Sequence, residues 1–379
     1  MTVKGLRSQV LTMEPYVPGK TIEEVRRDLG IDKIVKLGSN ENPYAPFPAA
    51  AEAMRKEIGN INRYPDIAFE EIKGLLARIH GVAPGNVAIS HGAEGMLQAM
   101  VKCFLEPGDE VILPSATYSL YRELSKLMGG RIVEVPLKEH TLDIEAITGA
   151  VAGRTKLLWL CNPNNPTGTI FPPNLLDRLL DSLPKTAWVV LDEAYAEFAE
   201  ASLLPDRARL VSEGRNVISI RTFSKAYGLA GARLGYALAR EEVITAIDTV
   251  SEPFNANRVG IAGGVAVLTL DGETCERARL MIISDRKKIS LALEKMGLSV
   301  VPSHTNFVFF ETPFPADAVA EDLLEQGVIV RPCGGWGYER AIRVTVGTGD
   351  ENAAFLAALD RTIGKFKDKA KEVDHGSLR

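Results

Sequence analysis

Ala187-Trp-Val-Val-Leu-Asp192 is apolar at every position until it ends in a carboxylate. A strand apolar on both faces must be covered on both faces, which marks an interior strand of a parallel sheet. Runs of the same kind recur on either side: Asn86-Val-Ala-Ile-Ser90, Glu110-Val-Ile-Leu-Pro114, Arg131-Ile-Val-Glu-Val135, Lys156-Leu-Leu-Trp-Leu-Cys161, Asn216-Val-Ile-Ser-Ile220 and Leu234-Gly-Tyr-Ala-Leu-Ala239. Helix-length amphipathic stretches lie between them, at 94–104, 118–128 and 173–182. Such alternation predicts an α/β fold in which a mostly parallel, seven-stranded sheet is covered by helices on both faces.

After residue 270 the texture changes. A charged helix at about 273–296 precedes the strand-like runs Leu298-Ser-Val-Val301, Thr305-Asn-Phe-Val-Phe-Phe310, Val328-Ile-Val-Arg331 and Ile342-Arg-Val-Thr-Val346. One helix (316–325) intervenes, another (about 350–366) closes the chain, and the polar tail beyond it is expected to fray. The 379 residues exceed what one core usually supports. The expected division is a large domain at 45–265 and a smaller α+β domain made of 1–44 with 266–379.

A net charge of −5 with no dense basic stripe argues against nucleic acid or an anionic membrane as partner. No apolar run approaches the ~18–20 residues a membrane span needs, and the first ten residues hold no signal-peptide core. Cys103, Cys161, Cys275 and Cys333 form no CxxC pair, which reads as reduced thiols in a cytoplasmic protein. The histidines are scattered without HxxxH or HExxH spacing, so no metal site is expected.

The chemistry gathers at strand ends. Lys225 lies in Arg221-Thr-Phe-Ser-Lys-Ala-Tyr-Gly-Leu-Ala-Gly-Ala-Arg-Leu-Gly235, beside the hydroxyl of Ser224 and eight positions before Arg233. Asp192 ends its own apolar strand, where a charge is costly unless paired. An amine for a Schiff base, a cation for a phosphate and an anion for a ring nitrogen make up the donor set of a pyridoxal 5'-phosphate site. His91-Gly-Ala-Glu-Gly95 follows a strand and opens a helix, so the amides of Ala93 and Glu94 could hold an anion, although such turns are more often purely structural. Asn165, in the rigid turn Asn162-Pro-Asn-Asn-Pro-Thr-Gly168, and Tyr195 are candidate donors to a phenolic oxygen. Tyr118 offers a stacking face or is a core tyrosine. Asp192 could instead cap a helix. Arg343, a lone charge in an apolar run, either snorkels to the surface or forms a bidentate fork for a carboxylate. Arg331 is a second such residue. Arg63-Tyr-Pro-Asp66 and Ser39-Asn-Glu-Asn-Pro-Tyr44 read as loops on their own.

Together these residues resemble the fold-type I, pyridoxal phosphate-dependent aminotransferases of class I/II. Asn162–Gly168, Asp192–Tyr195, Ser224-Lys225, Arg233 and Arg343 occur in that family's order over nearly the whole chain. The resemblance implies Lys225 as Schiff-base lysine and proton-shuttle base, Asp192 on the pyridine nitrogen, and Asn165 with Tyr195 on the phenolic oxygen. It implies Tyr118 stacked on the ring, and Ala93, Glu94, Ser224 and Arg233 around the phosphate. Arg343 would take the substrate α-carboxylate or its equivalent polar end. Within the group the chain is similar to histidinol-phosphate aminotransferases, through Glu14-Pro-Tyr-Val-Pro-Gly19, Lys36-Leu-Gly-Ser-Asn-Glu-Asn-Pro-Tyr44, Arg63-Tyr-Pro-Asp66 and Val328-Ile-Val-Arg-Pro332. That implies a homodimer in which Tyr64 reaches the neighbouring subunit's phosphate, with Tyr16, Asn42 and Arg331 on the substrate side. Arg331 is followed by Pro-Cys-Gly-Gly-Trp-Gly rather than a more polar stretch, and Gly92-Ala-Glu-Gly95 stands where the family often has Gly-Ser/Ala-Asp-Glu. The alternatives are an aromatic amino-acid aminotransferase, a decarboxylase of a phosphorylated amino acid, and a non-enzymatic regulator, which would need a DNA-binding module of which there is no sign.

Overall fold

The computed structural model describes residues 4–15 and 18–376. Thirteen strands run along the described chain: β1 (Val35–Lys36), β2 (Val87–His91), β3 (Glu110–Pro114), β4 (Arg131–Val135), β5 (Thr155–Cys161), β6 (Trp188–Asp192), β7 (Val217–Thr222), β8 (Leu234–Leu238), β9 (Ser299–Val301), β10 (Phe307–Glu311), β11 (Val328–Ile329), β12 (Arg331–Pro332) and β13 (Ala341–Thr345). They belong to two compact units, the larger holding β2–β8 and the smaller the rest.

In the larger unit the seven strands are ordered β2-β8-β7-β6-β5-β3-β4. The α/β reading holds: β4, β3, β5, β6 and β7 pair in parallel. β8 is the exception, antiparallel to both β7 and β2, so the sheet is mixed. Side chains alternate between two dry layers. Leu157, Trp159 and Cys161 of β5 and Val190 of β6 join Met96, Leu97 and Met100 of the helix Gly92–Phe104. Leu158, Leu160, Val189 and Leu191 face the other way, against Leu176 and Leu179 of the helix Pro173–Ser182. Each large aliphatic side chain so buried contributes about 1.5–3 kcal/mol, which is why β6 is apolar at every position before Asp192 and β5 at every position after Lys156.

Strand direction decides where the chemistry falls. Parallel strands end on one edge, so the segments after β3, β5, β6 and β7 emerge together. Because β8 runs backwards, its start lies on that same edge: Thr222 faces Gly235 and His91 faces Leu234. Arg233, which precedes its strand, therefore joins residues that follow theirs. The carboxyl edge is also where the order reverses around β3, the usual ligand crevice of open α/β sheets.

The division differs from the expected one at three places. Residues 4–15 belong to the larger unit, held by Arg7 Nη2 donating to the Leu127 carbonyl at 2.6 Å and the Glu14 amide donating to Glu123 at 2.9 Å. The larger unit also extends to Arg279, since the Asp271 carboxylate accepts from the amides of Ala49 (3.1 Å) and Ala50 (2.8 Å) at the start of the helix Pro48–Glu57. Pro166–Gly168 group with the smaller unit, the Gly168 carbonyl accepting from the His304 amide at 2.8 Å. The change of texture near residue 270 marks the start of the long helix Gly272–Lys295, and the division between the units falls inside that helix.

The smaller unit contains an antiparallel sheet ordered β12-β13-β10-β9 and a parallel pair, β1 with β11. The latter pairing brings 18–43 into it. Its helices include Ala316–Glu325 and a closing helix Gly349–Gly376. The closing helix runs ten residues past the expected end, through lysines and acids of good helix propensity, with Lys371 and Asp368 3.3 Å apart. Among the described residues no helix is long and apolar enough to cross a membrane, and no group of histidine, cysteine or acidic side chains could hold a metal ion.

Candidate active site

β7 stops at Thr222 because its hydroxyl accepts the Ser224 amide at 3.1 Å, bending the chain out of the sheet. Leu229 N–H to Phe223 O (2.9 Å) and Gly228 N–H to Lys225 O (3.0 Å) close the turn, and Gly228 takes the φ of +66° that it requires. Phe223, fully buried, anchors the turn below. Lys225 is presented over the sheet edge, its Nζ 5.7 Å from the centre of the Tyr195 ring.

Asp192 is 5% exposed. The Tyr121 hydroxyl donates to it at 2.6 Å and the Ala194 amide at 3.0 Å. Burial pushes its carboxyl above the ordinary value, against those two hydrogen bonds, which pull it down. A carboxylate kept dry at a net cost gains from any cation brought to it. Tyr121 was not singled out in the sequence, yet it holds this group. Its own ring lies flat on Trp159, centroids 4.9 Å apart at 4°, and the Tyr118 ring stands edge-on to it at 5.6 Å.

The Asn162–Gly168 turn is braced by a residue the sequence reading passed over. Asn164 accepts from the Thr117 hydroxyl (2.9 Å) and donates to the Ala116 carbonyl (3.0 Å). Its own amide reaches Thr169 O at 2.8 Å. It thereby ties the segment bearing Tyr118 to the segment bearing Asn165, which is 8% exposed.

At the start of the helix Gly92–Phe104, Gly92 has φ +70°, and a Cβ there would lie 2.8 Å from Arg233 Nη2. Gly235 likewise lets the Gly92–Ala93 backbone pass where a side chain would collide. Arg233 itself sits in the left-handed region at φ +53°, a strained place for a non-glycine. It is locked there by Gly92 N–H to Arg233 O (3.0 Å) and by Nη1 donating to Ala230 O (3.0 Å). The first amides of the helix have no intrahelical acceptor, and a guanidinium stands beside them. That is a cradle for an anion. The Glu94 carboxylate lies 3.8 Å from Arg233 Nη2 and is half exposed; only its backbone amide suits an anion.

Beneath the edge, buried charges join two of the sequence runs. Arg221 Nη2 donates to Glu197 at 2.5 Å and Nη1 lies 3.8 Å from Glu193. Glu193 also takes Arg207 at 2.7 Å and the Ser219 hydroxyl. Glu193 and Glu197 flank Tyr195, and Arg221 lies four residues before Lys225, so the network fixes both. Nearby, His80 bonds the Tyr236 hydroxyl at 2.9 Å; burial pushes the imidazole down to about 3, so it stays neutral. The available sequence signal was a charge inside the apolar strand β7, the same clue that marked Arg343.

Tyr64 stands apart, 76% exposed and stacked on Phe254 at 4.4 Å. Tyr16 lies outside the described residues. In the smaller unit, Arg343 is 6% exposed within β13, its Nη2 donating to Gly38 O at 2.8 Å and its guanidinium 5.3 Å from the Phe307 ring. It does not snorkel. Arg331 is its direct cross-strand partner. Asn42 is buried in the loop after β1.

The class I and II aminotransferase family model matches residues 32–359. A histidinol-phosphate aminotransferase of Symbiobacterium thermophilum is 40% identical over 96% of this chain and 100% of its own. The solved histidinol-phosphate aminotransferase of Sinorhizobium meliloti, in complex with pyridoxal-5'-phosphate, superposes with a TM-score of 0.89 at 32% identity, covering 96% of this chain and 99% of that one. An aspartate aminotransferase of Thermus thermophilus with maleate gives 0.82 at 26%, over 95% and 100%. With an amine, a dry carboxylate and an anion cradle on one sheet edge, and with these matches along its length, the chain belongs to the class I and II aminotransferases.

Proposed function

We propose that this protein catalyses pyridoxal 5'-phosphate-dependent transamination, converting histidinol phosphate and 2-oxoglutarate to imidazole-acetol phosphate and glutamate. The observation that carries the reading is the row formed by Lys225, Asp192 and the Arg233 cradle along one carboxyl edge, in a chain 40% identical to a histidinol-phosphate aminotransferase. The residues fit the cofactor. The dry Asp192 carboxylate suits a protonated ring nitrogen, and the Arg233 guanidinium, which Gly92 lets approach the start of the helix Gly92–Phe104, suits a phosphate.

Pyridoxal phosphate, when bound, supplies an electron sink for a carbanion at the substrate α-carbon. The amides of Ala93 and Glu94, the Ser224 hydroxyl and the Arg233 guanidinium hold its phosphate. Asp192 balances the positive ring nitrogen. Asn165 and Tyr195 hydrogen-bond the phenolic oxygen, and Tyr118 covers the ring. Lys225 anchors the cofactor through Nζ and then moves the α-proton, a general-base role that needs a neutral amine. Arg343 binds glutamate's carboxylate, and in turn the polar end of the phosphorylated substrate, as a planar fork, while Tyr16, Asn42 and Arg331 recognise the phosphorylated substrate.

The active protein is a homodimer in this reading. Ile61, Tyr64 and Ile67 expose 70%, 76% and 63% of their surface in one short stretch, a cost that a second copy of the chain would remove. Tyr64 then reaches the partner's phosphate. Four free cysteines suit a cytoplasmic setting.

Glutamate should bleach the visible band of the purified holoenzyme, and Lys225→Ala should lower turnover on the order of 10⁴-fold. A band indifferent to every amino donor would sink the transaminase reading. A kcat/KM favouring phenylalanine or tyrosine over histidinol phosphate would replace the substrate and leave the chemistry. Light scattering that finds a monomer would remove the dimer.

A further inference from the structure

Arg331 and Arg343 lie directly opposite each other on the antiparallel strands β12 and β13. Like charges in that relation repel. The loop between the two strands turns back through a short 3-10 segment, Gly334–Trp336. Trp336 N–H donates to Cys333 O at 3.0 Å, and Gly337, at φ +84°, sends the chain on to Tyr338, whose amide returns to Cys333 O at 3.2 Å. This fold-back sets the indole against both charges. Its ring centre is 5.5 Å from the Arg331 guanidinium and 5.8 Å from that of Arg343. Both distances are within cation–π range. The indole is not loose: with Tyr338 it packs on the buried cluster of Val301, Phe309, Cys333 and Ala341, and Tyr338 stands edge-on to Phe309 at 5.1 Å.

We propose that Trp336 is a specificity-determining positioning residue: its indole holds Arg331 and Arg343 as one fixed pair of guanidiniums, and the pair selects substrates that carry two negative charges. This rests on the reading of the two arginines as the substrate-anion groups. A dicarboxylate or a phosphomonoester engages both members of the pair. A substrate with a single carboxylate uses Arg343, which Phe307 and the Gly38 carbonyl also hold. The apolar Cys-Gly-Gly-Trp-Gly run after Arg331-Pro332 thus has a use: it carries a π face where a polar loop could not.

The test compares Trp336→Leu and Trp336→Phe holoenzymes with the parent. Leu removes the π face; Phe keeps a smaller one. Trp336→Leu should raise KM for glutamate and for histidinol phosphate about tenfold, with kcat within about twofold and KM for phenylalanine within about twofold. By calorimetry, the Kd of maleate, a dicarboxylate with no amino group, should rise by the same factor, and Trp336→Phe should recover most of both losses. Unchanged KM and maleate Kd in Trp336→Leu would overturn the proposal. So would a fall in kcat alone, equal losses for phenylalanine, or a Phe variant as impaired as the Leu variant. If Trp336→Leu does not fold, Arg331→Lys keeps the charge without the planar guanidinium, and it should reproduce the dianion losses; parental maleate binding there would overturn the proposal. If the parent fails to turn over histidinol phosphate but still binds maleate, the substrate reading falls while the maleate series continues to decide the role of Trp336.

Discussion

The edge of the seven-stranded sheet and the β12–β13 pair both bury charge, Asp192 and Arg221 at the one and Arg343 at the other, by different means. At the sheet edge each buried charge is met by hydrogen bonds and opposite charges: Asp192 by Tyr121 and Ala194, Arg221 by Glu197 and Glu193. In the smaller unit two like charges face each other and aromatic faces, Phe307 and Trp336, lie against them. Directional bonds fix a group to a fraction of an ångström, which proton transfer at a reacting carbon demands. A π face fixes a guanidinium more loosely than directional bonds do, which suits anions of more than one shape.

If that contrast is right, the heaviest damage follows from breaking the ion network. Arg221→Met leaves Glu193 and Glu197 buried beside an apolar side chain, and removing one partner of a buried pair typically costs about 3–5 kcal/mol. Urea unfolding should show that loss, and pairing the change with Glu197→Gln should restore part of it. An unchanged midpoint would erase the distinction between the two regions.

Asp192→Asn comes next. Loss of a preorganised charge at the ring nitrogen should lower kcat about 10²–10³-fold. Stability should move the other way. The folded carboxyl is raised above its ordinary 3.8, so above that value the folded state retains a proton that the unfolded chain has lost, and stability falls as pH rises. Asn does not titrate and removes this cost. The cofactor-free variant should therefore match or exceed the parent in Tm at pH 8, and the gap should close as pH falls toward 4. Arg343→Lys should have a smaller effect, raising KM for glutamate roughly 10–100-fold through loss of the planar fork and its Phe307 contact.

The legible parts of this fold were those whose chemistry is local in sequence. Seven apolar runs became the seven strands of one sheet, and Lys225, Asp192 and Arg233 announced themselves because each stands in or beside an apolar run. Direction was less legible: nothing in Leu234–Ala239 says that β8 runs backwards, since an apolar strand reads the same either way. Tyr121 was hidden because its partner lies 71 residues away. Trp336 lay in plain view between two noted arginines, but only the fold-back through Gly334–Gly337 brings it to both.

Tyr121→Phe is the finest probe of the contrast. The substitution keeps the ring, so the flat stack on Trp159 survives, and the Asp192 carboxylate loses the O–H that donates to it at 2.6 Å. A hydrogen bond to a charged acceptor contributes about 1.5 kcal/mol or slightly more. Without it the Asp192 carboxyl rises further, because burial is then less opposed. The acid limb of the kcat profile should accordingly move to higher pH, and the stability loss measured in urea should be largest at pH 8 and shrink as falling pH protonates the carboxyl. A loss independent of pH would mean that Tyr121 contributes only its ring, and the sheet edge would then depend on aromatic packing as the arginine pair does.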